Sequence, residues 1–394
     1  MIDLSFFRAD TPGTQQVVHV NNAGASLMPQ PVINAITNHI ALEAEIGGYE
    51  AAELRKEAIH DFYTATAELL ATTPDNIAGT ANATDSYARA LSSIPFERGD
   101  VILTTINDYV SNQIAFLSLQ QRFGVKVVRA ADEPKGGVSV DDMAEKIKSL
   151  RPRLVAVTHV PTNSGLIQPV EAIGQLCQTH DVLYLVDACQ SVGQLPVDVT
   201  AIRCDFLTAT CRKYLRGPRG MGFLYVSDKV LERGMAPLFV DLRGSTWESA
   251  DAFALVPTAA RFEDWEFPHA LVLGAAEAHW YALKVGLDTI ARRNAELCRN
   301  LRAQLDAIPT VRLLDEGERL ASIITLFSER KTAAELRAAL QAERINTSIS
   351  THGAAILDYD RKGMKTAALR ISPHYFNTDD EIDRVADTLK RVLV

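Results

Sequence analysis

Val182–Leu183–Tyr184–Leu185–Val186–Asp187–Ala188–Cys189–Gln190 is an apolar run that delivers an aspartate, and then a glutamine, at its end. A second run, Phe206–Leu207–Thr208–Ala209–Thr210, continues into Cys211–Arg212–Lys213 and delivers a lysine. A glycine-rich, hairpin-like segment follows, Gly217–Pro218–Arg219–Gly220–Met221–Gly222–Phe223. Runs this short and this apolar read as strands covered on both faces. Outward from them, further strands are expected at Val101–Ile106, Val125–Ala130, Leu154–Val160 and Gly222–Val226. Helix-like stretches near Asn112–Phe123, Val140–Leu150 and Val170–His180 lie between the runs. This alternation predicts an α/β fold with a mainly parallel, doubly wound sheet. Ligands of such sheets collect outside the carboxyl ends of the strands. Asp187 and Lys213 both fall there.

Near Pro257–Pro268 the pattern changes. A long amphipathic stretch, about Ala270–Ile308, reads as one or two helices. It leads to strands at Ser322–Phe327, Ile345–Ile349 and Ala367–Ser372 and helices at Ala333–Glu343 and Asp379–Val394. The expected division is an N-terminal arm over residues 1–20, a large domain over 21–256, and a small C-terminal α+β domain with its linking helix over 257–394.

Composition narrows the function classes. A chain of 394 residues has room for two domains. Its net charge of −9 speaks against a nucleic-acid partner or an anionic membrane surface. The five cysteines are scattered and form no C-x-x-C pair, so neither a disulfide framework nor a metal site is expected. A reducing cytoplasm suits them. The first residues lack the apolar core of a signal peptide, and no apolar run approaches the ~20 residues that span a bilayer. No G-x-G-x-x-G follows the first strand, which sets aside a dinucleotide site.

A carboxylate and an amine at two strand ends are what pyridoxal 5'-phosphate requires. The amine holds the aldehyde as a Schiff base, and the carboxylate keeps the ring nitrogen protonated so that the ring accepts electrons. Either residue alone is ordinary in an α/β protein; their order and the glycine-rich tail carry the reading. The chain resembles pyridoxal-phosphate enzymes of fold type I in the class V aminotransferase group. That group includes cysteine desulfurases, selenocysteine lyases and isopenicillin N epimerase-like proteins. The resemblance covers nearly the whole chain. Its most specific segments are Asn21–Asn22–Ala23–Gly24, Asp187 with Gln190, Arg212–Lys213 with the glycine-rich tail, and Arg370–Ile371–Ser372–Pro373–His374–Tyr375–Phe376–Asn377.

The resemblance implies that Lys213 carries the cofactor and that Asp187 pairs with the pyridinium nitrogen. Ala83 and Thr84 open a helix whose free N–H groups suit the phosphate, an ordinary helix cap being the alternative. Thr210 and Arg212 flank the lysine where the family usually has Ser and His on the phosphate, and Arg is a good phosphate ligand. Tyr109 stands where desulfurases stack a histidine on the ring, or it is a core residue. Gln190 approaches the ring hydroxyl, and either Thr162 or Asn163 reaches the same hydroxyl. Arg370 is placed for the substrate α-carboxylate, which it can hold bidentately. Asn22, His352 and Trp265 complete the expected substrate contacts. Family members are usually homodimers with the site near the interface.

The chain also departs from the desulfurases. Their nucleophilic cysteine on a small-domain loop corresponds to Gly353 here, and the only cysteine after Lys213 is Cys298. Where they have a Gly-Thr pair reaching the neighbouring subunit's phosphate, this chain has Trp265–Glu266. Persulfide chemistry is therefore not expected. The expected reaction begins with an external aldimine of an α-amino acid and removal of its α-proton by Lys213. It ends in β-elimination of a sulfur group, as in a C–S lyase. The segment Arg212–Gly220 resembles hercynylcysteine-sulfoxide lyases. Transamination and epimerisation are the alternatives, and Arg216, Arg219 and Arg243 are candidates for a second carboxylate pocket.

Overall fold

The computed structural model describes residues 3–393. Residues 1 and 2 of the expected arm and residue 394 of the expected small domain lie outside the described residues. Among the described residues, the central sheet has seven strands. Their spatial order is Ile77–Thr80, Gly222–Val226, Phe206–Thr210, Leu183–Asp187, Leu154–Thr158, Val101–Thr104 and Lys126–Arg129. The last five in this order run parallel. Gly222–Val226 is antiparallel to both its neighbours, so the sheet is mixed. The cause is local. Gly217 N–H donates to the Cys211 carbonyl (2.8 Å) and Cys211 N–H to the Met221 carbonyl (3.1 Å), which returns the chain at once beside the strand it has left. A short return forces antiparallel pairing, because a parallel neighbour needs a long crossover.

Every residue of Leu154–Thr158, Leu183–Asp187 and Phe206–Thr210 is buried, as their apolar runs require. Two long helices, Gln30–Ile46 and Lys56–Leu70, add to the sequence-based expectation. Both pack against His269–Val285. That helix and Leu287–Asp306 divide the long amphipathic stretch at Gly286, whose φ of 87° is a backbone conformation that side chains disfavour.

A second sheet has the order Val311–Leu313, Ile324–Ser328, Ala368–Ile371 and Ser348–Ser350, and is antiparallel throughout. Helix Asp379–Leu393 covers it with Ile382, Val385, Ala386, Leu389 and Leu393, one apolar stripe at helical spacing. The single strand expected at Ile345–Ile349 is two. Ile345–Asn346 pairs in parallel with Val18–His19 of the N-terminal segment, and Ser348–Ser350 joins the four-stranded sheet. The N-terminal segment thus packs on the C-terminal elements, with Val18 and Val20 in their hydrophobic core. Among the described residues no helix is long and apolar enough to cross a membrane.

Arg216 is the largest fully buried side chain. Its φ of 63° places a non-glycine residue in the left-handed region. Its guanidinium donates to the Leu27 carbonyl (2.9 Å), the Tyr375 hydroxyl (2.5 Å) and Thr11 Oγ1 (2.5 Å), and lies 4.5 Å from the Phe376 ring centre. It belongs to no second carboxylate pocket; it ties the arm and the C-terminal segment to the loop after Lys213. Arg216→Ala removes three charge-assisted hydrogen bonds and leaves a void. We expect a loss of about 3 kcal/mol, read from the urea midpoint of unfolding.

Candidate functional site

Asp187 is the last residue of its strand, and Lys213 follows the neighbouring parallel strand by three residues. A cavity of about 300 Å³ opens over these ends. Ala83, Thr84, Tyr109, Thr162, Asp187, Gln190, Thr210, Arg212 and Lys213 all line it. They come from five separate loops and helix starts, which the strand order brings together.

One wall is the start of helix Ala83–Ser92. Its cap is Asn82, whose side chain accepts from Asp85 N–H (3.1 Å). The Asn82–Ala83 backbone packs directly on Gly222, where an added Cβ would meet it at 2.8–2.9 Å. The helix start reaches the strand ends only because that position has no side chain. First-turn N–H groups there favour an anion. Arg212 stands on the same cavity; burial, followed by neighbouring Arg219, holds its pKa below the usual arginine value. Its guanidinium also donates to the Gly24 carbonyl.

The floor is built around the Asp187 carboxylate. One oxygen accepts from Cys189 N–H (2.9 Å) and the other from the Asn112 side-chain amide (3.1 Å). Asn112 also faces Thr158 Oγ1 (3.3 Å) and Asp108 (3.2 Å). Burial keeps the Lys213 amine below the ordinary lysine range, while Cys189 and Asp187 oppose that shift. Gln190 donates to the Ala23 carbonyl (3.1 Å) and Thr162 Oγ1 (3.0 Å). Its Oε1 is buried without a partner among the described residues. An acceptor left open in a buried site awaits a donor.

These features fit pyridoxal 5'-phosphate. The helix start and Arg212 suit its phosphate, Asp187 its ring nitrogen, the open Gln190 oxygen its hydroxyl, and the desolvated Lys213 amine its aldehyde.

Four expected contacts lie elsewhere. Asn163 does not line the cavity; its side chain donates to Asp358 (2.8 Å), while adjacent Thr162 turns the other way, toward Gln190. His352 pairs with Asp360 (2.8 Å) on a surface turn. Trp265 is exposed and lines a separate cavity with Tyr63, Arg243 and Glu266. Asn22 is fully buried and donates to the Ser372 carbonyl (2.8 Å), a link between chain segments. Arg370 does not line the cavity either, but it is bonded to Thr162, which does. Its guanidinium donates to the Thr162 carbonyl (3.1 Å) and Oγ1 (2.8 Å), and its Nε is buried with no partner among the described residues. Arg243 is engaged by Glu263 (3.0 Å).

Asn112, Thr158, Cys189 and Arg219 also line the cavity. Cys189 and Arg219 stand inside the motifs that flagged the site. Asn112 and Thr158 carry no sequence signal beyond being polar within an expected helix and an expected strand.

The model of the aminotransferase class-V family matches residues 18–385. A probable cysteine desulfurase of Pyrococcus abyssi is 29% identical over 309 residues, which is 76% of this chain and 76% of that protein. The apo structure of a cysteine desulfurase from Thermococcus onnurineus NA1 superposes with a TM-score of 0.91 at 24% identity, covering 100% of this chain and 98% of that one. The cystine C–S lyase C-DES, in complex with its product cysteine persulfide, superposes with a TM-score of 0.86 at 22% identity, covering 96% of this chain and 99% of that one. Another C-DES structure holds glycine covalently linked to the pyridoxal-phosphate cofactor.

Proposed function

This chain belongs to the aminotransferase class-V family of pyridoxal-phosphate enzymes, and from that premise we propose that it is a β-eliminating C–S lyase acting on a sulfur-bearing α-amino acid, without a persulfide carried on the protein. Pyridoxal phosphate, when bound, supplies an aldehyde for the substrate amine and a ring that takes up the electron pair left at Cα. Lys213 and Asp187 would hold it through its aldehyde and its ring nitrogen, with Ala83, Thr84, Thr210 and Arg212 toward the phosphate and Gln190 and Thr162 toward the hydroxyl. Arg370 takes the α-carboxylate, for which its unpartnered Nε and its contact with the cavity-lining Thr162 suit it. Lys213, whose buried amine loses its proton more readily than an exposed lysine, removes the α-proton. The sulfur group then leaves from Cβ.

The observation that carries the lyase reading is the state of the cysteines. A persulfide carrier presents a reactive thiolate to the cavity. The segment Ser348–Asp358 has no cysteine. Cys177, Cys204, Cys211 and Cys298 are buried away from the cavity. Cys189 does line it, but burial, and then the neighbouring Asp187 carboxylate, push its thiol pKa up, the wrong direction for a nucleophile. The relatives' name, cysteine desulfurase, is the competing reading. The variants Cys189→Ala and Cys298→Ala separate the two. We expect each to keep turnover of L-cystine within about threefold, since neither thiol enters the chemistry. A hundredfold loss in either would favour a persulfide carrier.

An aminotransferase reading has one observation in its favour: Arg219 is exposed and lines the cavity, as a second-carboxylate contact would.

The working unit is a dimer. Phe239, Trp247 and Phe253, on and beside the hairpin of Ser245–Ser249 and Ala252–Leu255, are 59–84% exposed, and Tyr49 is 80% exposed. Large aromatic groups this open to water support burial against a second copy. The free cysteines favour a reducing, cytoplasmic setting.

A further inference from the structure

Asn163 is fully buried, although it sits next to a cavity-lining residue and faces away from the cavity. Its amide donates to Asp358 on helix Ile356–Arg361, a carboxylate only 1% exposed. The same carboxylate accepts from Lys362 Nζ (2.8 Å) and Arg361 (3.0 Å). These two cations fix it, so it acts as a rigid anchor for the Asn163 amide. Thr325 Oγ1 meanwhile shares its one proton between the Asn163 carbonyl (3.0 Å) and the Asp315 carboxylate (3.0 Å).

Thr325 is the cross-strand partner of Arg370. Two side chains from one cross-strand pair therefore grip two consecutive residues of one loop. Thr325 holds Asn163, and Arg370 donates to both the carbonyl and the hydroxyl of Thr162. Those two contacts orient the guanidinium and leave its Nε free. The orientation is only as fixed as the loop, and the loop is anchored to helix Ile356–Arg361 by Asp358.

We propose that Asn163 and Asp358 are positioning residues that set the Thr162–Arg370 clamp for the α-carboxylate of the substrate. The inference rests on the reading of Arg370 as the carboxylate contact. Asn163 touches neither cofactor nor substrate; it acts through Thr162. Its loss tilts the guanidinium, while the lysine, ring-nitrogen and phosphate contacts, which come from other loops, stay in place.

Glycine and methylamine separate positioning from general support, because both offer an amine and only glycine has a carboxylate. The pyridoxal-loaded protein is titrated with each, and binding is read from the cofactor absorbance. Asn163→Ala and Asp358→Ala are expected to weaken glycine about tenfold, the scale of a misplaced binding group. Methylamine binding, which uses no carboxylate contact, is expected to stay within about threefold of the wild type. Where the cavity left by alanine unfolds the protein, Asn163→Leu keeps the volume, removes the hydrogen bond and is expected to give the same selective loss. Equal weakening of both amines, or undiminished glycine binding, would overturn the proposal. A wild type that does not prefer glycine to methylamine would overturn the reading of Arg370 itself, and the clamp with it.

Discussion

Lys213→Ala is expected to abolish turnover, with a fall of about 10⁴-fold, because in the proposed mechanism one side chain both holds the cofactor aldehyde and moves the α-proton. The same variant loses the visible band of lysine-linked cofactor while retaining pyridoxal phosphate through the helix start at Ala83, Arg212 and Gln190. Absorbance and a phosphate assay after desalting check both halves. Retained turnover would remove Lys213 from the chemistry. Loss of the cofactor altogether would mean that the cavity walls contribute little to holding it.

Asp187→Asn is expected to lower the rate by about 10²–10³-fold, as removal of a preorganised charge does. The substitution keeps the size of the side chain and removes its charge, so the ring nitrogen loses the anion that the proposed mechanism sets against it. The Asn112 amide and the Cys189 N–H now donate to Asp187 oxygens (3.1 Å and 2.9 Å). An amide at 187 presents one oxygen and one nitrogen, so one of those two donors faces another donor. The cost therefore includes local repulsion as well as lost charge. An unfolding midpoint close to that of the wild type, together with the rate loss, locates the effect in the chemistry. A rate within about tenfold of wild type would exclude charge stabilisation at the ring nitrogen as a principal effect.

The fold, and the meeting of Asp187 and Lys213 at one cavity, were legible for a local reason. Asp187 and Lys213 terminate apolar runs, and a strand that is buried on both faces announces its own end. The glycine-rich return after Lys213 was legible as a hairpin; the antiparallel pairing of Gly222–Val226 follows from it. What stayed hidden depends on contacts across the chain. Thr162 and Asn163 are neighbours in a loop, and no sequence period tells which one faces the cavity. Only the Asp358 carboxylate, 195 residues away, decides that Asn163 turns outward. Asn112 looks like any polar helical residue until the sheet order sets its amide against Asp187. Arg216 sits in a basic motif that suggested a ligand, yet its hydrogen bonds go to Leu27, Tyr375 and Thr11. His352 looked like a substrate contact but lies on a turn, where Asp360 takes its ring nitrogen.

The most direct measurement is the product balance of the pyridoxal-loaded protein given L-cysteine, L-cystine, and a cysteine thioether with its sulfoxide. Elimination gives one pyruvate and one ammonia for each sulfur group released, with no alanine, and that balance is expected on at least one of these substrates. Alanine in place of pyruvate, with sulfur left on the protein, would contradict elimination and make the chain a desulfurase. A keto acid formed without ammonia, with the cofactor left in its amine form, would contradict it in favour of transamination.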